Sequence, residues 1–314
     1  MKKVSQEIDK SLRLSSYLAP KHWPLWFAIG LLRLSTFLPT RVTSKLGNAL
    51  GRLLYYAMPS RRRAARINIR QAYPDFSKDE ITALNKKSFE SLGISIFEMG
   101  VAWYEKDSVL KKKCQVEGKE HLDHAITNND AIILLTGHFT TLETGGRLIG
   151  LYCDKYNAVF KKARSPLFNA IMVHHRSKFF NELIDNKNVR GIIRGLKKGN
   201  ATWFAPDQDF RHQDIVFTPF LGGIASTLTA TAKMAKMTKA AVVPFYQVRL
   251  KNNKGFKLII LPALENFPSG DILDDSARVN KAIEDMVYAN PEQYLWLHKR
   301  FKTQPDKSTK MYPS

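Results

Sequence analysis

Apolar residues divide the chain into a helical first part and a strand–helix alternation that begins near residue 131. Between residues 45 and 110, apolar positions recur every three or four residues, as in an amphipathic helix. The two clearest sets are Leu46, Leu50, Leu53 and Leu54, and then Phe89, Leu92, Ile96 and Met99. Ser77 and Glu80 form a capping-box pattern that predicts a helix from Lys78 onward.

Short apolar runs after residue 131 predict strands, and longer amphipathic segments between them predict helices. The predicted strands are 131–136, 156–160, 201–205, 241–249 and 256–261. The predicted helices are 140–150, 165–178, 189–198, 226–237 and 276–289. The last two strands flank the turn-like stretch 251–255 and read as an antiparallel hairpin. We therefore expect an α/β domain built on a single mixed, mostly parallel sheet flanked by helices.

The N-terminal quarter combines apolar and basic residues. Trp23–Pro39 is a 17-residue apolar stretch, which would span about 25 Å as a helix. Tryptophans and basic residues flank it, as they flank interfacial segments. We expect a membrane anchor within 15–45, either crossing the bilayer or lying in its interface. The alternative is a core helix with a solvated basic face.

This interpretation divides the 314 residues into three parts. They are a basic segment with a membrane anchor helix (1–45), an α/β domain (46–303) and a polar tail (304–314).

The net charge of +21 indicates a polyanionic partner: nucleic acid, an anionic membrane, or an acidic protein or substrate. Residues 1–70 contain 14 Lys and Arg against two acidic residues, and so carry +12 of that total. Two cysteines in a chain of this length do not suggest a disulfide framework. The sequence has no Walker loop, no GxGxxG and no metal-binding spacing of Cys or His. We therefore expect neither a metal nor a nucleotide cofactor.

His138 and Glu143 follow the buried run 131–135 directly, where a strand ends and a helix begins. Open α/β sheets usually build their sites at such points. A carboxylate within reach of an imidazole fixes its tautomer and stabilises its charged form, as a general base requires. We expect Glu143 to orient His138 in this way. A histidine and a glutamate that merely cap the helix are the alternative.

Three further segments carry candidate binding residues. Asp207 and Asp209 follow another predicted strand, where they would orient a substrate or a site arginine, or simply form a turn. Lys161, Arg164 and Arg176 are donors for an anionic substrate, or else part of a solvated charged face. The loop 217–223, running into a helix start at Ser226, would offer backbone N–H groups to an anion.

In this order, these blocks resemble the late acyltransferases of bacterial lipid A synthesis, from the N-terminal apolar segment to Thr303. The matching blocks are GHFTTLETG (137–145), LKKGNATWFAPDQD (196–209), VFTPFLG (216–222), VVPF (242–245) and PEQYLWLHKRFKTQP (291–305). The last block is long and unusual, and is far more specific than the His–Glu spacing.

The resemblance implies transfer of a lauroyl or myristoyl group from acyl carrier protein to a hydroxyl of a 3-hydroxyacyl chain on Kdo-lipid IV(A). It implies His138 and Glu143 as the catalytic pair, with Arg176 and Asp207 as site residues. Members of that family often have Arg-Pro or Arg-x-Asn where this chain has Lys161 to Arg164. Which cation of this segment makes the contact that is usual in the family therefore stays open. Acyl carrier protein would be the co-substrate, and no cofactor is implied.

The same resemblance implies a location at the bacterial inner membrane, with the site facing the cytoplasm and no nucleic-acid partner. Two alternatives remain. One is an acyltransferase for another acceptor, such as glycerol phosphate or a mannosylated lipid. The other is a basic membrane-bound binding module, which would leave the His–Glu pair unused.

Overall fold

A seven-stranded sheet organises the protein in the computed structural model, which describes residues 12–211, 214–306 and 308–312. Its strands are β1 (Cys114–Glu117), β2 (Ile132–Leu135), β3 (Tyr156–Phe160), β4 (Leu183–Asp185), β5 (Ala201–Phe204), β8 (Ala241–Arg249) and β9 (Phe256–Ile260). They lie in the order β1-β9-β8-β2-β5-β3-β4. All neighbouring pairs are parallel except β8 with β9. The expected mixed, mostly parallel sheet and its antiparallel hairpin are confirmed.

Strand β2 lies at the centre of the sheet because both of its faces are apolar. Ile133 and Leu135 belong to the core on one face, and Ile132 and Leu134 to the core on the other. All four residues are buried, as expected for a parallel strand covered by helices on both sides. The polar residues that follow β2 are therefore the first part of this segment that can reach solvent.

Eleven helices are present in the described ranges. They are α1 (Trp23–Ser35), α2 (Thr40–Ala57), α3 (Pro59–Ala72), α4 (Lys78–Tyr104), α5 (Asp107–Lys112), α6 (Lys119–Asn128), α7 (Leu142–Ile149), α8 (Pro166–Arg176), α9 (Val189–Lys197), α10 (Ala230–Thr238) and α11 (Ile272–Ala289). Short 3-10 helices occupy Leu14–Tyr17, Pro20–His22, Lys251–Asn253 and Pro291–Gln293. The predicted capping box is present, with Ser77 and Glu80 bonded reciprocally at the start of α4.

The predicted helix 226–237 is wrong in its first part, and the predicted loop 217–223 is also wrong. A separate antiparallel hairpin forms instead from β6 (Ile215–Phe220) and β7 (Gly223–Leu228). Its turn places Leu221 and Gly222 at positive φ, which matches the twist of a tight hairpin. The buried Asn280 side chain of α11 donates hydrogen bonds to Thr218 and Thr227 across the two strands. No helix start therefore lies at Ser226 to bind an anion.

Residues 15–45, where a membrane anchor helix was expected, contain short 3-10 helices, α1 and the start of α2. Helix α1 ends at Ser35, and α2 begins at Thr40 after Pro39, whose ring restricts the preceding residue to non-helical conformations. In the part of the chain that the structure describes, no helix is both long and apolar enough to cross a bilayer. Helix α2 also runs through the predicted boundary at residue 45 without interruption.

The C-terminal residues are attached to the domain rather than separate from it. The Tyr312 hydroxyl donates to Asn68 Oδ1 at 2.5 Å and accepts from the Phe301 backbone N–H at 3.0 Å. Described residues of the predicted polar tail thus pack against α3 and against the segment 291–305, called the C-terminal block below.

Helices α2 and α4 approach each other through glycines. A Cβ atom on Gly93 of α4 would collide with the backbone of Gly47 and Gly51 on α2. The two backbones are therefore in direct contact, which larger residues would prevent. Helix α4 is about 40 Å long and also contacts α3 and α7, so this contact ties the N-terminal helices to the sheet domain.

Gly93→Ala is expected to lower the free energy of unfolding by about 1–3 kcal/mol, because overpacking forces α2 and α4 apart. The control is Gly30→Ala in α1, where a Cβ atom meets nothing within 4 Å. That change should be neutral or stabilise by up to about 1 kcal/mol through helix propensity. Denaturant unfolding of both variants in neutral detergent measures the difference. Equal stability of the two variants would contradict the packing argument.

Candidate active site

Two neighbouring parallel strands bring the candidate site together. Leu135 at the end of β2 pairs with Phe204 at the end of β5. The Thr136 backbone N–H then donates to the Phe204 carbonyl at 3.0 Å, so the segments after both strands leave the same edge of the sheet. His138 follows β2 and Asp207 follows β5, which places them side by side although 69 positions separate them.

His138 is held by Asp207 through two atoms. Its Nδ1 nitrogen lies 2.5 Å from Asp207 Oδ1, and its backbone N–H donates to Asp207 Oδ2 at 2.8 Å. An ionised carboxylate only accepts hydrogen bonds, so Nδ1 carries the proton in this pair. In the neutral imidazole, Nε2 is then the unprotonated nitrogen. The His138 side chain is 25% exposed and that of Asp207 only 1%, so the histidine faces the solvent side of the pair.

Tyr294 completes the environment of the buried carboxylate. Its hydroxyl donates to Asp207 Oδ2 at 2.9 Å. Burial raises the pKa of Asp207, but the charge of His138 and the hydrogen bonds from His138 and Tyr294 outweigh it and lower this pKa to about 2. Burial and the Asp207 charge raise the pKa of Tyr294 well above its usual value. Asp207 therefore stays ionised and Tyr294 stays protonated near neutral pH.

The C-terminal block clamps the loop that carries His138. Phe139 pairs with Tyr294 in an isolated antiparallel bridge. The Leu295 N–H donates to the His138 carbonyl at 3.0 Å, and the Thr140 N–H donates to the Gln293 carbonyl at 2.7 Å. The loop is thus bonded through its backbone, which limits movement of the imidazole.

Asp209 forms hydrogen bonds with the C-terminal block and none with His138. Its carboxylate accepts from the Thr303 N–H at 2.8 Å and from the Thr303 hydroxyl at 3.0 Å. Its own N–H donates to His298 Nε2 at 3.0 Å. Burial lowers the pKa of His298 to about 4, which keeps Nε2 able to accept. In these contacts Asp209 anchors the C-terminal block, and the expected binding role for it stays a prediction.

Glu143 has different partners from the one expected. It lies in the first turn of α7, where the helix dipole favours a negative charge. Arg176, the last residue of α8, donates to both carboxylate oxygens, with Nε 3.0 Å from Oε1. Trp103 Nε1 donates to Oε1 at 2.7 Å. Among the described residues, Glu143 has no hydrogen bond to His138, and Asp207 occupies the orienting position instead.

The Glu143–Arg176 pair is largely buried and ionised. Burial opposes the charge on Glu143, but the charge and hydrogen bonds of Arg176 keep the pKa of Glu143 below its ordinary value. Burial likewise opposes the charge on Arg176, and Glu143 raises its pKa. Nε and Nη2 of Arg176 are used by Glu143. Its Nη1 has no hydrogen-bond partner in the described part of the chain.

The two remaining predicted cations and the histidine next to Arg176 have different surroundings. Lys161 and Arg164 are exposed in the segment between β3 and α8, next to the carboxyl end of β3. His175 is buried and stacks on Trp103, with ring centroids 4.6 Å apart. Burial and the neighbouring charges of Lys178 and His174 lower the pKa of His175 to about 4. His175 is therefore neutral near pH 7 and supports Trp103 rather than binding an anion.

Sequence reasoning missed two residues of the site. Tyr294 lies within PEQYLWLHKRFKTQP, so the block was recognised but this side chain was not singled out. Trp103 is near the end of α4 and carries no motif that would mark it. No group of three or more His, Cys, Asp or Glu in the described ranges is arranged to hold a metal ion.

The sequence is similar to those of proteins of known activity. Residues 12–303 match the family described as bacterial lipid A biosynthesis acyltransferase. The chain is 35% identical to the lipid A biosynthesis palmitoleoyltransferase of Escherichia coli K12, over 94% of this chain and 96% of that one. It is also 35% identical to the lauroyltransferase of the same organism, over 93% and 95%. Identity to its lipid A biosynthesis myristoyltransferase is 24%, over 98% and 96%.

The lowered pKa of Asp207 predicts a specific dependence of stability on pH. The ionised carboxylate stabilises the folded protein above its unfolded-chain pKa, near 3.8, and this contribution is lost as the pH falls toward about 2. Between about pH 6 and about pH 2, the wild type should lose about 2 kcal/mol more unfolding free energy than Asp207→Asn. Denaturant unfolding across this range measures both slopes. Parallel pH curves would contradict the pairing.

Proposed function

The chain belongs to the bacterial lipid A biosynthesis acyltransferase family, and we propose that it moves a lauroyl or myristoyl group from acyl carrier protein to Kdo-lipid IV(A). The chain is an acyltransferase, and its family acts in lipid A biosynthesis. The finer proposal names a hydroxyl of a 3-hydroxyacyl chain as the acceptor. The observation that carries it is the His138–Asp207 pair, because this chemistry requires a base for a hydroxyl proton.

His138 acts as the general base in this proposal. Nδ1 is protonated and bonded to Asp207, which directs the free electron pair of Nε2 away from the buried carboxylate. Nε2 removes the acceptor hydroxyl proton as the oxygen attacks the thioester carbon. Asp207 stabilises the imidazolium that results, as the carboxylate does in a Ser-His-Asp triad.

The second half of the reaction returns the proton. The tetrahedral intermediate collapses, the carbon–sulfur bond breaks, and the leaving thiolate of the carrier protein takes the proton from the His138 imidazolium. An ester and a free thiol are the products, and His138 is neutral again. The thioester supplies an activated acyl group, so the step requires no further cofactor in this proposal.

Glu143 and Arg176 serve the oxyanion in the same proposal. The intermediate places negative charge on the former carbonyl oxygen, which requires a hydrogen-bond donor. Glu143 holds the Arg176 guanidinium by Nε and Nη2 and leaves Nη1 to donate. Backbone N–H groups of the His138 loop are the other donors available. Glu143 thereby contributes to catalysis through Arg176 rather than through the imidazole.

The positive charge of the chain supports the proposed partners. Acyl carrier protein is acidic and the acceptor carries phosphates, so a net charge of +21 attracts both. Lys161 and Arg164, exposed beside the carboxyl end of β3, are proposed contacts for these anions. The protein is proposed to act at the inner membrane with its site facing the cytoplasm, where the acyl carrier protein is found.

Mass spectrometry of the acceptor tests the proposed reaction. Purified protein should add one acyl mass to Kdo-lipid IV(A) when given lauroyl- or myristoyl-carrier protein. His138→Ala and Asp207→Asn should each reduce kcat by on the order of 10²–10⁴. Glu143→Gln should reduce it by on the order of 10²–10³ through Arg176. Transfer to glycerol phosphate instead of Kdo-lipid IV(A) would overturn the acceptor, and wild-type turnover of His138→Ala would overturn the base.

The dependence of kcat/KM on pH separates the two carboxylates. Asp207→Asn should shift the acidic limb of this profile, because Asp207 is bonded to the base. Glu143→Gln should lower the whole profile without moving that limb. The reverse pattern would assign the orienting role to Glu143.

Salt should slow the reaction if charge steers the carrier protein to the enzyme. Raising the salt concentration from about 0.05 M to about 0.5 M should lower kcat/KM for acyl carrier protein by at least about tenfold. The control donor is the uncharged acyl-pantetheine thioester, whose kcat/KM should change little. Equal salt sensitivity of the two donors would contradict steering.

A further inference from the structure

The buried carboxylate of Asp207 accepts hydrogen bonds from two side chains in the described part of the chain. His138 Nδ1 lies 2.5 Å from Oδ1, and the Tyr294 hydroxyl donates to Oδ2 at 2.9 Å. Asp207 and Tyr294 are both buried, so solvent does not compete with the tyrosine for this oxygen. One negative charge is therefore shared between the proposed base and a neutral donor.

Packing and a backbone bridge fix the position of the Tyr294 hydroxyl. The ring packs edge-on against Phe139 and Trp296, with centroids 5.7 Å and 5.1 Å away. Tyr294 also forms the isolated bridge to Phe139. Trp296 is anchored in turn, because Asn68 of α3 donates to its carbonyl at 2.7 Å. A phenylalanine in place of Tyr294 would keep the ring contacts and remove only the donor.

The hydroxyl changes how strongly Asp207 interacts with the imidazole. A hydrogen bond to an ionised carboxylate stabilises the ionised form and lowers its affinity for a proton. Oδ1 of Asp207 therefore stabilises the His138 imidazolium less than a carboxylate without the tyrosine would. Burial has the opposite effect, because charges interact more strongly where water is excluded. Without Tyr294, the buried carboxylate would keep the imidazole charged up to a higher pH.

Four other titratable groups surround Tyr294 and the histidine pair electrostatically. They are Asp209, His298, Arg300 and Tyr312. Burial lowers the pKa of His298 to about 4 and raises the pKa of Tyr312, and an arginine stays charged. These three groups therefore keep their charge near neutral pH. Asp209 is bonded to Thr303, and all four groups remain in place in the variants below.

We infer that Tyr294 is a positioning residue that acts through Asp207 and keeps the His138 imidazole neutral, and so able to accept a proton, near neutral pH. This role rests on the proposed function of His138 as the general base. A general base is most effective when its protonation midpoint lies near the operating pH. A buried carboxylate without the tyrosine would move that midpoint above this range.

Nuclear magnetic resonance of isotope-labelled histidine tests the inference on the full-length protein in neutral detergent. The His138 ring resonance is assigned by its loss in His138→Ala, and its midpoint is measured by pH titration. Tyr294→Phe should raise this midpoint by at least about 0.5 pH unit, because Oδ2 loses a donor. Asp207→Asn should move it in the opposite direction, because the imidazolium loses its counter-charge.

Tyr246→Phe is the matched control. The Tyr246 ring also packs against Phe139, with centroids 5.9 Å apart. Among the described residues, its hydroxyl has no hydrogen bond to Asp207. Removing this hydroxyl should shift the His138 midpoint by less than about 0.2 pH unit, because the charge on Asp207 is unchanged. Thermal unfolding of both tyrosine variants checks that each is folded.

The pH profile of acyl transfer supplies a second readout. In Tyr294→Phe, the acidic limb of kcat/KM should move to higher pH by the same amount as the midpoint. Above this limb, kcat should change by less than about tenfold, whereas His138→Ala should lose on the order of 10²–10⁴. A tyrosine with only a structural role would lower stability and kcat without moving the limb.

Two results would overturn the inference: a midpoint that is unchanged or lower in Tyr294→Phe, and an equal rise in Tyr246→Phe. If Tyr294→Phe does not fold, the wild type supplies the test through isotope-labelled tyrosine. The Cζ resonance of one tyrosine should then change at the His138 midpoint, and this change should be absent in His138→Ala. A wild type in which no tyrosine follows that midpoint would also overturn the inference.

The titration requires no substrate, so it is independent of the test of acyl transfer. A raised midpoint in a protein that transfers no acyl group would support the action of Tyr294 on His138 and overturn the proposed reaction. Acyl transfer with an unchanged midpoint would do the reverse.

Discussion

The buried carboxylate of Asp207 is the group on which the rest of the site depends. A carboxylate in a protein interior costs several kcal/mol unless hydrogen bonds and an opposite charge compensate it. Here the compensation comes from two segments that are far from Asp207 in sequence: the His138 loop after β2, and Tyr294 in the C-terminal block. Satisfying one charge therefore brings the loop that carries His138 into place and holds it there.

Two carboxylates at the same sheet edge have different cationic partners. Asp207 pairs with an imidazole that gains and loses a proton in the proposed reaction. Glu143 pairs with a guanidinium that stays charged at any relevant pH. Burial strengthens both pairs, since their charges are screened less than at the surface. The site can thus hold the proposed base and a fixed positive charge together without either neutralising the other.

Five strands of the sheet were predictable because they are apolar runs, whereas β1 and β4 are short and only partly buried and were not among the predicted strands. The hairpin from Ile215 to Leu228 was not predictable, since its turn places Leu221 at positive φ and its support comes from Asn280 in a distant helix. Sequence reasoning selected His138, Glu143, Arg176 and Asp207, and the structure joins them in two hydrogen-bonded pairs. Their pairing was not predictable, because nearness in sequence favoured Glu143 as the partner of His138, whereas the register of β2 with β5 brings Asp207 to Nδ1.

The structure of the N-terminal region was also only partly predictable from the sequence. Its apolar and basic residues were evident from the sequence, but the break between α1 and α2 and the glycine contact with α4 arise from the packed structure. The same residues thus form two shorter helices against the domain, with apolar side chains on their exposed sides. The sequence therefore identified the apolar and basic residues of this region, whereas the packing of the helices determined which of them are exposed.

Proton NMR of the His138 ring is the most direct test of the central claim that Asp207 orients the catalytic imidazole. A proton on Nδ1 held 2.5 Å from a buried carboxylate oxygen should give a strongly deshielded resonance, assigned by its loss in His138→Ala. The account predicts that this resonance persists in Glu143→Gln and disappears in Asp207→Asn. Persistence in Asp207→Asn together with loss in Glu143→Gln would contradict it.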